Sequence, residues 1–208
     1  QESQLYSADG ALMVFGRALQ EFPSDDRCLD DAERLAATVD TAYDQEGNPL
    51  PNGWEQLANS YADALSVHEA PELQSLIGKR LARVFEEELQ DLEKATQTYQ
   101  YVLSVVPLDM ECLEQLDRLH TEHQQPAELA SILEQRAQAA DDAYAQIEFY
   151  QRLGELYETA LQQVDDAIRV YRKLFDELDK ESEDPGTALE RLYLSKAGYN
   201  DLYAVYET

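Results

Sequence analysis

The residues of this 208-residue chain that carry chemistry are three histidines, two cysteines and a large surplus of carboxylates, and their spacing argues against a catalytic centre. His120 and His123 lie at i, i+3, which would put two imidazoles on one helical face. The HExxH pattern is absent and no cysteine is near them in sequence, so a packing role for His120 outweighs a metal site. Asp40, Asp44 and Glu46 precede Gly47 without the alternating acids, or the closing acid, of a calcium loop. Cys28 and Cys112 are 84 residues apart with no CxxC, which fits a reducing or merely permissive compartment better than a disulfide scaffold. There is no phosphate-cradling glycine loop, no G-x-S-x-G and no local Cys–His signature. With 43 acids, no single carboxylate pair carries information about hydrolysis. The expectation is an unreactive chain with no catalytic residue, no metal and no cofactor.

Charge narrows the partners. Sixteen Lys+Arg against 43 Asp+Glu give a net charge of −27, a field that repels nucleic-acid phosphate and anionic membrane alike. Only five of the cations are lysine. Such acid-rich, lysine-poor composition matches a salt-adapted or marine bacterial protein, or simply an acidic surface kept soluble by self-repulsion. No stretch approaches the roughly 20 apolar residues of a membrane helix. The start QESQLYSADG has neither a basic nor an apolar signal region and lacks Met, so the chain reads as a processed or excised piece. A cytoplasmic location is expected, with secretion or the periplasm left open by a removed signal.

The elements that must hold these residues show themselves as repeats. LARVFEEELQDLEKATQTYQYVL from Leu81 aligns without a gap on LGELYETALQQVDDAIRVYRKLF from Leu153. LDRLHTEHQQPAELASILE from Leu116 pairs likewise with LERLYLSKAGYNDLYAVYE from Leu189. The anchor leucines Leu81, Leu116, Leu153 and Leu189 are 35, 37 and 36 residues apart, a period that signals stacked repeats. Each unit reads as two helices. The first carries apolar residues at i, i+3, i+4 and i+8, as in Leu153, Leu156, Tyr157 and Leu161. A short polar break follows: Gln90-Asp91, Gln124 to Pro126, Gln162-Gln163, or Gly198 to Asn200. The second helix carries a small residue or leucine and then an aromatic or aliphatic one four later, as in Ala167 and Tyr171 or Leu202 and Tyr206. Tyr99, Tyr157, Tyr171, Tyr193 and Tyr206 all fall on packing positions of this pattern. A hairpin of this kind covers its apolar face only by stacking on its neighbours.

These residues resemble the tetratricopeptide repeat. Tyr150-x2-Leu153-Gly154-x2-Tyr157 follows that family's W-x2-L-G-x2-Y, with tyrosine for tryptophan, and Ala167-x3-Tyr171 follows its A-x3-F. Pro107 stands where the family's closing proline belongs. The chain departs from the pattern in two units that carry an extra residue in the turn, and in having glycine after the anchor leucine only at Leu153. The resemblance, to a divergent tetratricopeptide-like array, implies an all-α fold: an α-solenoid of stacked antiparallel helical hairpins with a period of about 36 residues.

One repeat domain over 1–208 is expected, with hairpins at 28–67, 72–107, 109–140, 144–180 and 184–208 after an orphan second helix within 1–24. In the hairpin at 28–67, Leu35, Val39 and Tyr43 keep the first-helix rhythm, and Leu57 with Tyr61 forms the second-helix pair. Between them EGNPLPNG, at 46–53, is a long loop, either a tolerated insertion or a lip over one edge of the array. Trp54 is expected to open or cap the helix beside it. Ala11, Phe15 and Leu19 resemble Ala167, Tyr171 and Phe175, which makes them an orphan second helix, and the chain stops at YET without a polar cap. Both ends are therefore expected to be cut faces of a longer solenoid.

The resemblance also implies which residues line the concave groove: positions two before, and two, five and six after, each anchor leucine. These include Lys79 and Arg83; Arg118; Gln151, Glu155, Glu158 and Thr159; and Thr187, Arg191, Leu194 and Ser195. Arg83, Arg118 and Arg191 share one repeat position, and Glu155 interrupts the row. Such a row would hold carboxylates of an extended peptide, unless each arginine is neutralised by glutamates one turn away, such as Glu87 or Glu122. The chaperone-tail clamp of this family uses groove lysines and asparagines, and here there is one lysine and no asparagine. The function expected is a scaffold that binds another protein or peptide, neither nucleic acid nor membrane. The alternative is a regulatory or sensory segment of a larger multidomain bacterial enzyme or signalling protein.

Overall fold

The computed structural model describes residues 8–22, 24–43, 45–178 and 183–196. Ten α-helices follow one another: α1 (Ala8–Glu21), α2 (Asp26–Ala36), α3 (Gly53–Val67), α4 (Pro71–Arg83), α5 (Leu92–Val105), α6 (Met110–Glu122), α7 (Pro126–Ala139), α8 (Ala143–Thr159), α9 (Val164–Lys173) and α10 (Glu183–Ser195). α4 runs on into a π-helical turn, Val84–Glu88, and α9 into another, Leu174–Leu178. Among the described residues there is no strand beyond the isolated bridge between Tyr43 and Pro49. None of the described helices is long and apolar enough to cross a membrane. The second-helix residues Leu202, Val205 and Tyr206 lie outside the described residues.

Local chemistry sets the helix ends. Side-chain oxygens of Asp25, Asn52, Asp91 and Asp142 accept from otherwise unpaired backbone N–H groups at the starts of α2, α3, α5 and α8. Pro71 and Pro126 occupy the first turns of α4 and α7, where a missing N–H costs nothing. The turns inside the hairpins share a device. Gln90, Gln124 and Gln162 take left-handed φ values of 52°, 54° and 54°. The residue after each returns its N–H to the preceding helix: Asp91 to the Phe85 carbonyl at 2.7 Å, Gln125 to His120 at 2.9 Å and Gln163 to Tyr157 at 2.7 Å. Glutamine is an unusual occupant of that conformation, which L-residues enter at a cost of about 1–2 kcal/mol.

The chain forms two compact units, 1–112 and 113–208, with the boundary inside α6. In the first, α1 packs on α2 and α3, α3 on α4, and α4 on α5. Leu12, Leu19, Leu29, Leu57, Tyr61, Ile77 and Leu81 build its core. In the second, α8 lies against α7 and α9, and α10 against α9. Its core includes Leu133, Phe149, Leu153, Ala167, Tyr171, Leu174 and Leu189. All four anchor leucines are buried, as are Tyr99, Tyr171 and Tyr193. Helix pairs α4/α5, α6/α7 and α8/α9 fill 71–105, 110–139 and 143–178. The fold is all-α, made of tetratricopeptide-like helical hairpins.

One element departs from its pattern. The rhythm of Leu35, Val39 and Tyr43 continues past the end of a helix that stops at Ala36, and Tyr43 is exposed. The Thr38 hydroxyl and N–H both bond to the Leu35 carbonyl, turning the chain out of the helix. Gly53 then donates its N–H to the Val39 carbonyl, and its Cα lies so close to Ala36 that a Cβ there would come within 2.1 Å of the Ala36 carbonyl oxygen. The close approach of α3 to the end of α2 therefore leaves no space for a further helical turn. Trp54 sits in the first turn of α3, half-buried against the core.

Candidate functional site

α8 and α10 meet at residues their repeat phase makes equivalent. Gln151 and Thr187 stand two before their anchor leucines, and Glu155 and Arg191 two after. All four line one open cavity of about 500 Å³, with Glu158 and Thr159 on the α8 side and Asp184, Pro185 and Ala188 on the α10 side. Arg191 donates to Glu158 at 2.8 Å, from one helix to the other, so this guanidinium is committed within the site. Glu155 is exposed and makes no ion pair among the described residues. Leu194 and Ser195 do not line the cavity.

The floor is Tyr171, which reaches the cavity from α9. Its ring lies over Gly154, where a Cβ would stand 2.7 Å from the ring's Cε1. Only glycine lets the phenol pass there. The residue is 6% exposed, and its hydroxyl makes no hydrogen bond among the described residues. Burial, with Glu158 and Glu155 nearby, pushes the Tyr171 hydroxyl up to about 12 against the pull of Arg191. The phenol therefore stays protonated at neutral pH. Sequence reasoning had this tyrosine as core; its hydroxyl end at the cavity is visible only with α8, α9 and α10 in place.

The other residues of the row sit apart from this cavity. Arg118 on α6 donates to Gln115 and to Glu122, the latter at 3.3 Å, one turn away. In the first unit, Lys79 is held by Asp109 at 3.3 Å and Glu111 at 2.8 Å. Burial works against both charges, yet these contacts raise the Lys79 ammonium and hold the Asp109 carboxyl below the usual carboxylate range. Asp109 also caps α6 through the Cys112 N–H at 3.1 Å. Arg83 is exposed and has no ion-pair partner among the described residues. Neutralisation thus reaches Arg118 along its own helix and Arg191 across helices.

One charge cluster has no signal in the sequence. Asp117, 4% exposed, takes Arg152 Nη1 and Nη2 at 2.9 and 2.8 Å and also pairs with Arg136, joining α6, α7 and α8. Burial would raise the Asp117 carboxyl, but the two guanidiniums hold it below the usual range. Arg136 lies 4.4 Å over the Phe149 ring, so its charge is enclosed from both sides. Because the three partners are distant in sequence, no local spacing marks them.

Nothing in these surroundings activates a nucleophile. Burial pushes the Cys28 thiol up, assisted by Asp25 and Asp31, and pushes Cys112 up to about 12, assisted by Asp109. Both are free thiols. His120 is buried with Nδ1 2.7 Å from Gln125 Oε1, a packing position. Among the described residues, no group of three or more His, Cys, Asp or Glu is placed to hold a metal ion.

No family model and no curated protein matches the sequence. Among solved structures the chain is similar to MamA from Desulfovibrio magneticus RS-1, at 21% identity and a TM-score of 0.37, over 74% of this chain and 82% of that one. It is also similar to the kinesin light chain TPR-like repeats of Podosopora anserina, at 14% identity and a TM-score of 0.43, over 95% and 90%.

Proposed function

We propose that the chain is a scaffold that binds another protein through the first-helix face of its hairpins, with an extended peptide segment as the element recognised. The observation that carries this reading is the cavity between α8 and α10, where residues of equivalent repeat phase line one opening while the anchor leucines Leu153 and Leu189 are buried. A surface presented by rigidly stacked helices binds without first ordering itself, so less of the contact energy is lost on association. The unbroken period through Leu81, Leu116, Leu153 and Leu189 supports reading 1–208 as one repeat domain. The net charge of −27 disfavours nucleic acid and anionic membrane as partners. We assign the segment no chemistry of its own.

The test is site-specific photo-crosslinking in cells of the source organism, with the photoreactive residue at Thr187 in the cavity or at Ser131 on the exposed side of α7. A partner captured from Thr187 and not from Ser131, and lost when Arg83, Arg118 and Arg191 are all changed to Ala, is the expected result. Equal capture from both positions, or none from either in folded protein, overturns the reading.

A further inference from the structure

We propose that the cavity between α8 and α10 receives the side chain of a lysine or arginine from an extended partner peptide. This rests on the scaffold reading and names the chemistry of its ligand. The cavity offers three carboxylates, Glu155, Glu158 and Asp184, against one cation, Arg191. Arg191 is already bonded to Glu158, so it has little to give an incoming anion. An acidic side chain entering here would meet Glu155 and Asp184 with its only counter-charge engaged.

A cation finds the opposite. At the floor stands the Tyr171 hydroxyl, on a residue more than nine-tenths buried and without a hydrogen bond among the described residues. A buried hydroxyl left without a partner costs about 1–3 kcal/mol, so this one is completed by a ligand or by solvent. Its oxygen can accept from an ammonium or guanidinium while its proton remains available to a neighbouring carboxylate. Pro185 and Ala188 supply an apolar flank beside the charged end, suited to the aliphatic stem of a lysine or arginine. The field of the whole chain would also draw a basic segment towards the surface and speed its capture.

The inference is tested by amide-resolved NMR titration of the full 208-residue chain at physiological salt with two capped peptides, GSKSG and GSESG. The lysine peptide is expected to shift the amides of 155–159 and 187–191, and the glutamate peptide to leave them in place. Glu155→Gln and Tyr171→Phe should each weaken the lysine peptide about fivefold, whereas Glu128→Gln, an exposed acid on α7, should not change it. Circular dichroism of each variant establishes that it is folded. Lysine-peptide shifts spread evenly over the acidic surface, or equal binding by Glu155→Gln, overturn the inference. Glutamate-peptide binding at the same amides also overturns it, while leaving the groove itself as the binding surface. If neither peptide moves these amides, the cation pocket fails, and the crosslinking from Thr187 decides the scaffold reading separately.

Discussion

Removing the carboxylate of Asp117 while keeping its shape, Asp117→Asn, should be among the most damaging polar substitutions in the second unit. The residue is 4% exposed, and its side chain receives Arg136, itself 15% exposed, and Arg152, 38% exposed. Breaking a buried ion pair from one side costs about 3–5 kcal/mol, because the remaining charge stays buried. Arg152 can relax into water, so the lower end, about 3 kcal/mol, is expected here. At roughly 2–4 °C per kcal/mol for a chain of this size, the thermal midpoint should fall by about 6–12 °C. The pH dependence separates charge from packing. The folded carboxyl is held below its unfolded value by Arg152 and Arg136. Its contribution is therefore complete above the unfolded value of about 3.9 and is lost as pH falls through the lower, folded one. Urea unfolding of wild type and Asp117→Asn should differ by the full amount at pH 7 and at pH 5, and the gap should narrow below pH 4. Replacing the pair with apolar residues, Asp117→Leu with Arg136→Met, should recover much of the loss. A loss under about 1 kcal/mol for Asp117→Asn, or a gap that does not narrow in acid, would falsify the assignment of this cluster as an enclosed ion network.

Two further outcomes separate core from surface and sequence from backbone. Leu153→Ala, at a fully buried anchor, should cost about 2–5 kcal/mol by urea unfolding, while Arg118→Ala, whose ion pair is exposed, should cost under about 1 kcal/mol. Reversal of that order means the helix faces are misassigned. Gln162→Gly relieves a left-handed φ of 54° and should stabilise by about 0.5 kcal/mol, the relief exceeding the extra unfolded-state entropy of glycine. A clear loss of stability there would show that the Gln162 side chain contributes more than its backbone strain costs.

Much of the fold was legible because the period of a helix and the period of a repeat are both written in side-chain type. The leucine at 153 must be buried wherever a helix places it beside Leu156 and Tyr157, and its spacing from Leu116 and Leu189 announces the stack. Gly154 and Tyr171 were legible as a motif, and the structure supplies its cause, a ring lying where a Cβ would stand. The end of α2 was not legible: the apolar rhythm of Val39 and Tyr43 persists, but the approach of Gly53 to Ala36 cuts the helix short. The left-handed glutamines were likewise hidden, because backbone conformation there is imposed by hydrogen bonds closing the hairpin rather than by residue preference.

The amino-acid sequence by itself determined the all-helical class, the repeat length, the buried leucines and the acidic surface, since each depends on residue type at a local or periodic spacing. Tertiary structure alone decided which charges meet. Arg191 finds Glu158 33 residues away, Asp117 gathers Arg136 and Arg152, and the Tyr171 hydroxyl opens onto the cavity between α8 and α10. Long charged side chains reach across helices in any of several directions. Only the packed positions of those helices choose among them.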